Sequence, residues 1–136
     1  MLRLSHEDKR FRDDFESGAI APEQFSHREH IRLAYIYLCK GGLDEAYART
    51  KEAIQSLLQR NHIDSAKYHE TLTLAWLKAV RYFMGNTASA DSAAQFIEQN
   101  PRLLDSKIML THYSPETLFS DEARAKLIDP DIEPIP

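Results

Sequence analysis

Helix-length segments broken by very few glycines constrain this chain more than any other feature. The four glycines fall in three places: Gly18 after "FRDDFES", Gly41-Gly42 after "IYLCK" and Gly85 after "VRYFM". A glycine just past a helix takes the left-handed cap conformation without a Cβ penalty, so each place is a candidate helix end. Between them the apolar residues recur at helical spacing, and no stretch alternates as a half-buried strand would. The chain therefore reads as all-α, a single-domain bundle of about four main helices with shorter C-terminal helices packed over it. Its 136 residues are enough for one real core and too few for two domains of ordinary size.

Local signals place the elements. Ser5 opens a first helix that carries Phe11 and Phe15 four apart. Ser26 and Glu29 fit a capping box, which puts His27 at the first position of a second helix running to about Lys40. The third runs from about Leu43 to Arg60. The fourth begins near Asp64 or Ser65 and ends near Met84, with Leu72, Trp76, Val80 and Phe83 on one stripe and Trp76 and Leu72 as core residues. A fifth spans about Ala90 to Gln99, where Pro101 stops it. "RLLDSKIMLTHY" and "SPETLFSDEARAKLI" read as shorter helices, the second with Ser114 as cap and Pro115 at the first helical position. Residues 1–128 make the bundle. Residues 129–136 make a proline-rich C-terminal tail, equally readable as an extended strap or a loose end.

Composition excludes several classes. The formal net charge is −4, which gives no broad electrostatic reason to seek nucleic acid or an anionic membrane. "HEDKRFRDD" mixes both signs, as on a solvated helix face. No apolar run approaches the roughly 18 residues of a membrane span, and the start lacks the h-region of a signal peptide. The single cysteine, Cys39, has no internal partner, so a cytoplasmic location is expected. There is no glycine-rich phosphate loop and no paired-cysteine ligand set. A homo-oligomer is compatible with this composition.

The histidines carry the functional reading. His27 and His30 are three apart at the start of the second helix and head a stripe that continues through Ala34, Tyr37 and Leu38. His69 heads the stripe of the fourth helix, three before Leu72 and seven before Trp76. Short connections make the second and third helices antiparallel, and the third and fourth likewise, so the second and fourth run parallel. His27, His30 and His69 then point inward at one end of the bundle. Such a cluster suits a divalent metal ion (zinc, manganese, nickel or iron) or a small polar ligand. The helix N-termini favour the neutral rings that coordinate. Glu70 is placed to orient a ligand or act as a base, with Tyr68 and Trp76 as pocket wall.

A different class of function competes with this one. "HIRLAYIYLCKGGLDEAYARTKEAI" resembles a tetratricopeptide helical hairpin, with Ala34, Gly41, Ala46 and Ala53 near the small-residue positions. No second copy follows, and a lone repeat cannot bury its own face. In that alternative the chain is a helical protein–protein interaction module and its histidines are purely structural. With "H-x-x-H" entering one helix, "YHETLT" entering another and "PDIEPIP" closing the chain, the sequence also resembles a group of small bacterial helical proteins from Phe25 to Pro136. That resemblance implies no activity and transfers no catalytic residue. It implies only that the three segments belong to one compact domain.

Overall fold

Seven α-helices account for most of the chain in a computed structural model that describes residues 1–136: α1 His6–Ser17, α2 His27–Lys40, α3 Leu43–Arg60, α4 Glu70–Gly85, α5 Ala93–Gln99, α6 Pro115–Leu118 and α7 Asp121–Ala125. Short 3-10 turns cover Pro22–Gln24, Ser65–Lys67, Pro101–Leu104 and Ser106–Thr111. Extended pairing is limited to one isolated bridge between Leu2 and Ala90. The all-α reading holds, and no helix is long and apolar enough to cross a membrane.

The chain starts α1 with a full capping box. The Ser5 hydroxyl accepts from the Asp8 amide at 3.0 Å, and the Asp8 carboxylate accepts from the Ser5 amide at 3.0 Å. Gly18 ends the helix at φ +86°, the left-handed cap expected of it. Gly41 does not: its φ of −159° is extended, and Gly42 caps the next helix from β-region backbone. The bounds of α2 and α3 fall where the spacing predicts them.

α2 is the centre of the molecule. Ile31, Leu33, Ala34, Tyr35, Ile36 and Tyr37 are all buried, which no single stripe can achieve. A helix apolar all round is one surrounded by others, and α2 packs against α1, α3, α4 and α5. α3 and α4 also pack on each other, so α2, α3 and α4 form a mutually packed trio. Tyr35 stacks on Phe96 of α5 with ring centroids 4.8 Å apart, and Phe15 of α1 packs on Phe25 at 4.7 Å. The core draws on every helix except the short α7, whose Ala123 is itself buried against α4.

Two expectations about α4 need correction. The helix starts at Glu70, not near Ser65. Asp64 instead caps the 3-10 turn Ser65–Lys67 by accepting from the Ala66 amide at 2.9 Å, and the chain then extends through Tyr68. Trp76 and Leu72 are partly buried, while Ala75, Leu77, Ala79 and Val80 are the fully buried positions. Val80 keeps to the expected stripe, while Ala75 and Ala79 flank it on one side and Leu77 on the other.

The C-terminal segment is a strap. The Thr71 hydroxyl donates to the Lys126 carbonyl at 2.8 Å and accepts from the Ile128 amide at 3.1 Å. The Ile132 and Glu133 amides both donate to the His112 carbonyl, and the His112 ring donates from Nδ1 to the Glu133 carbonyl at 2.8 Å. Asp131 receives the amide and hydroxyl of Ser114, and Ile135 packs on the core. Residues 129–136 are therefore fastened to the bundle.

"HEDKRFRDD" also differs from its reading as a solvated face. Asp8 is buried, pairs with Arg32 at 3.2 Å and accepts from the Ala93 amide at 2.9 Å. One carboxylate thereby joins α1, α2 and the start of α5.

Candidate functional site

α2, α3 and α4, together with residues 67–69 before α4, border a half-open cavity of about 250 Å³. His30, Thr50, Tyr68, His69 and Trp76 line it, with Ala34, Ile54, Leu72 and Leu77 as apolar wall and Lys67 and Thr73 completing the boundary. Of the six residues expected to form a site, four meet here: His30, His69, Tyr68 and Trp76. His27 and Glu70 do not.

His69 is the cap of α4 rather than a residue of its stripe. Its Nδ1 accepts from the Leu72 amide at 3.1 Å, so that nitrogen carries no proton. Its Nε2 therefore carries the proton and donates to the Leu118 carbonyl at 2.7 Å. Burial disfavours the cation, the Leu118 carbonyl opposes that, and the Arg124 charge adds to it; the net effect lowers the pKa. Both ring nitrogens are spent on the backbone, and the ring contributes to the cavity mainly as a surface.

His27 turns away from the cavity. Its Nε2 donates to the Leu103 carbonyl at 2.9 Å, and its ring stands edge-on to Trp76 at 4.6 Å. It fixes the outer side of the Trp76 indole. The three imidazoles are therefore not gathered into one ligand set, and no group of three or more His, Cys, Asp or Glu side chains is placed to hold a metal ion.

His30 is the histidine with freedom to act. It stacks on the Phe25 ring with centroids 3.7 Å apart, and neither ring nitrogen has a protein hydrogen-bond partner in the fold. Loss of water on its packed side, and then the neighbouring His27, push its pKa below the ordinary value, while Glu29 opposes them. The residue remains exposed on its other side, which keeps part of the cation's hydration and limits the depression. At neutral pH the ring is uncharged, with one donor and one acceptor to offer.

Glu70 faces α3 instead of the cavity. Its carboxylate accepts from the Tyr47 hydroxyl, from Lys51 Nζ at 2.6 Å and from the Tyr68 hydroxyl at 2.9 Å. Burial raises its pKa, but these three donors outweigh that and hold it below the usual range. A carboxylate so fully engaged is a poor base and an effective clasp between α3 and α4.

Thr50 is the residue that the histidine pattern does not reveal. It is 6% exposed, lines the cavity, and its Oγ1 is the one buried side-chain polar atom without a hydrogen-bond partner. A helical threonine ordinarily satisfies its hydroxyl on the carbonyl one turn back; here that bond is missing. The signal was in the sequence. Thr50 lies four after Ala46 and four before Ile54, a hydroxyl in the middle of an apolar stripe.

No family model, no curated protein and no solved structure matches the chain. The reading of the site therefore rests on its own geometry.

Proposed function

We propose that this chain is a small helical binding protein whose ligand occupies the cavity between α2, α3 and α4. The unpartnered Thr50 hydroxyl carries the proposal. A buried polar atom without a partner costs free energy on every folding event; the Thr50 oxygen is enclosed as it stands, and rotation about Cα–Cβ would bring it to a ligand in the cavity that its side chain borders. The mixed lining supports the same reading, with an apolar wall, the Trp76 indole and a neutral His30 imidazole at one opening. A divalent ion is the competing occupant. His30 is free to ligate one, but His69 would have to release the Leu118 carbonyl or the Leu72 amide, and the carboxylate of Glu70 is taken. The lining suits an organic ligand better than an ion.

Thr50→Val tests this directly. Valine keeps the shape of threonine and removes the hydroxyl. If the hydroxyl serves a ligand, the variant should be more stable than the wild type by about 1 kcal/mol in urea unfolding, because an unsatisfied group has gone. It should also lose the thermal stabilisation that a small-molecule library confers on the wild type. A variant that is less stable, with an unchanged ligand response, would sink the proposal. The helical interaction module would then be the reading to pursue.

A further inference from the structure

Residues 129–136 meet the bundle as a bound peptide does, through a few specific groups and very little buried surface. None of them is buried, and only Pro130 and Ile135 are partly so. The Asp131 carboxylate accepts from the Ser114 amide at 2.9 Å, the Ser114 hydroxyl at 2.7 Å and the Thr117 hydroxyl at 3.0 Å. The Ile132 and Glu133 amides donate to the His112 carbonyl, and the His112 ring donates to the Glu133 carbonyl. Ile135 then packs on the core beside Ala79, Phe83 and Met109. Prolines flank that isoleucine on both sides, and proline favours an extended backbone without any partner. The fit is incomplete at both ends. Half-open spaces of about 100 Å³ and 270 Å³ remain between the segment and the bundle, the first beside Asp129 and Pro130, the second beside Ile135 and Pro136. Lys78 borders the first space with Asp129, and Arg102 borders the second with Glu133, yet neither cation belongs to an ion pair. A segment built into a core packs at interior density; this one does not.

From this arrangement we infer that α4 and residues 109–117 form a groove for an extended, acidic, proline-containing peptide of another protein, and that residues 129–136 are a resident occupant which such a peptide displaces. The recognised pattern is a carboxylate, then two backbone amides, then an isoleucine between prolines. Main-chain bonds supply affinity, and the carboxylate and the isoleucine supply selectivity. Lys78 and Arg102 add the charge preference, since both stand unpaired beside the acidic positions of the resident segment. The groove shares no lining residue with the cavity between α2, α3 and α4, so the two readings stand or fall separately. A tethered segment works at an effective concentration of order 1 mM, so a segment docked about ten to one in the intact chain has a Kd of about 0.1 mM as a free peptide.

The probe is the synthetic peptide LIDPDIEPIP, residues 127–136, added to the full chain. In isotope-labelled wild type, about 1 mM unlabelled peptide should displace the resident segment in about half of the molecules. The Ile132 and Glu133 amide signals should then move toward their positions in the free peptide. The full-length double variant Asp131→Ala, Ile135→Ser disables the resident segment and leaves the groove intact. By fluorescence anisotropy it should bind labelled peptide about tenfold more tightly than wild type does, because its own segment no longer competes. A peptide carrying the same two changes should bind neither protein. Lys78→Glu with Arg102→Glu, added to the double variant, should weaken peptide binding about threefold, a difference that high salt removes. No displacement in wild type at about 5 mM peptide would overturn the proposal, since by then most resident segments should have left. Equal affinity for wild type and double variant would place the peptide elsewhere and overturn it too. A wild-type dimer in sedimentation that the peptide dissolves would assign the groove to the tail of a second copy and overturn a foreign partner.

Discussion

His69 spends both ring nitrogens on the backbone, and this makes it a joint between α4 and α6 rather than a reactive group. Its replacement by glutamine should cost about 1–2 kcal/mol, the worth of a cap plus a buried hydrogen bond only partly replaced. The pH dependence has a definite sign. The folded-state pKa lies below the ordinary histidine value, so the unfolded chain binds the proton more readily. The stability contributed by neutral His69 is complete above about pH 6.5 and is lost as the pH falls from there toward the folded value. Urea unfolding between pH 7 and pH 5 should show the wild type losing stability, and His69→Gln should flatten that loss. An identical slope in the two proteins would show that His69 titrates equally in both states. This role was only half legible in the sequence. A histidine at a helix start is visible, but whether its ring faces a cavity or a carbonyl depends on Leu118, 49 residues away. Asp8 is the same lesson with the opposite appearance. In a run of mixed charge it looks solvated, and only the approach of Arg32 and the Ala93 amide explains its burial.

At the scale of elements, the helices whose ends carry chemical punctuation were legible, and the faces they present were legible only in part. Ser5, Gly18, Ser26 and Pro115 act locally, through backbone geometry and bonds within one turn, so spacing alone locates α1, α2 and α6. A buried face depends on the number of neighbours. α2 has neighbours on nearly every side, so its stripe of Ala34, Tyr37 and Leu38 does not single out an inward direction, and His27 and His30 on that stripe face different surroundings. On α4 Leu72 and Trp76 border the cavity, while the buried Ala75 and Ala79 face the C-terminal segments, Ala75 beside Tyr113 and Ile128 and Ala79 beside Met109 and Ile135. The difference in burial along α4 has an energetic consequence. Leu77→Ala should cost about 2–4 kcal/mol, as for a fully buried leucine. Trp76→Ala should cost only about 1–2 kcal/mol, since the indole is partly exposed and backs onto open volume. Chemical denaturation of the two variants should give that order; the reverse order would return Trp76 to the core.

At the scale of the whole molecule, the bundle is closed by a segment with three prolines in its last eight residues. Proline prevents that segment from forming a helix, and its low backbone freedom in the unfolded chain reduces the entropy lost on fixing it as a strap. Composition could say this much and no more. Whether the strap docks depends on Thr71, His112 and Ser114, polar groups scattered along the preceding chain that meet it only after α4 and the C-terminal turns have packed. Docking in turn brings Ile135 onto the core, so the strap completes burial that the helices begin. Deleting residues 129–136 removes the Ile135 contact and both amides that cap the His112 carbonyl. One partly buried isoleucine and a few exposed hydrogen bonds amount to about 1–2 kcal/mol, which in a domain of this size lowers Tm by about 4–8 °C. Hydrogen exchange gives the sharper test in the intact chain. The Ile132 and Glu133 amides should exchange more slowly than those of Asp129 and Asp131, which donate to no backbone carbonyl. Replacement of His112 by alanine keeps the carbonyl but removes the ring's bond to Glu133, so protection at both positions should fall together. Uniformly fast exchange across residues 129–136 in the wild type would mean that the strap is undocked most of the time, and the truncation should then leave Tm unchanged.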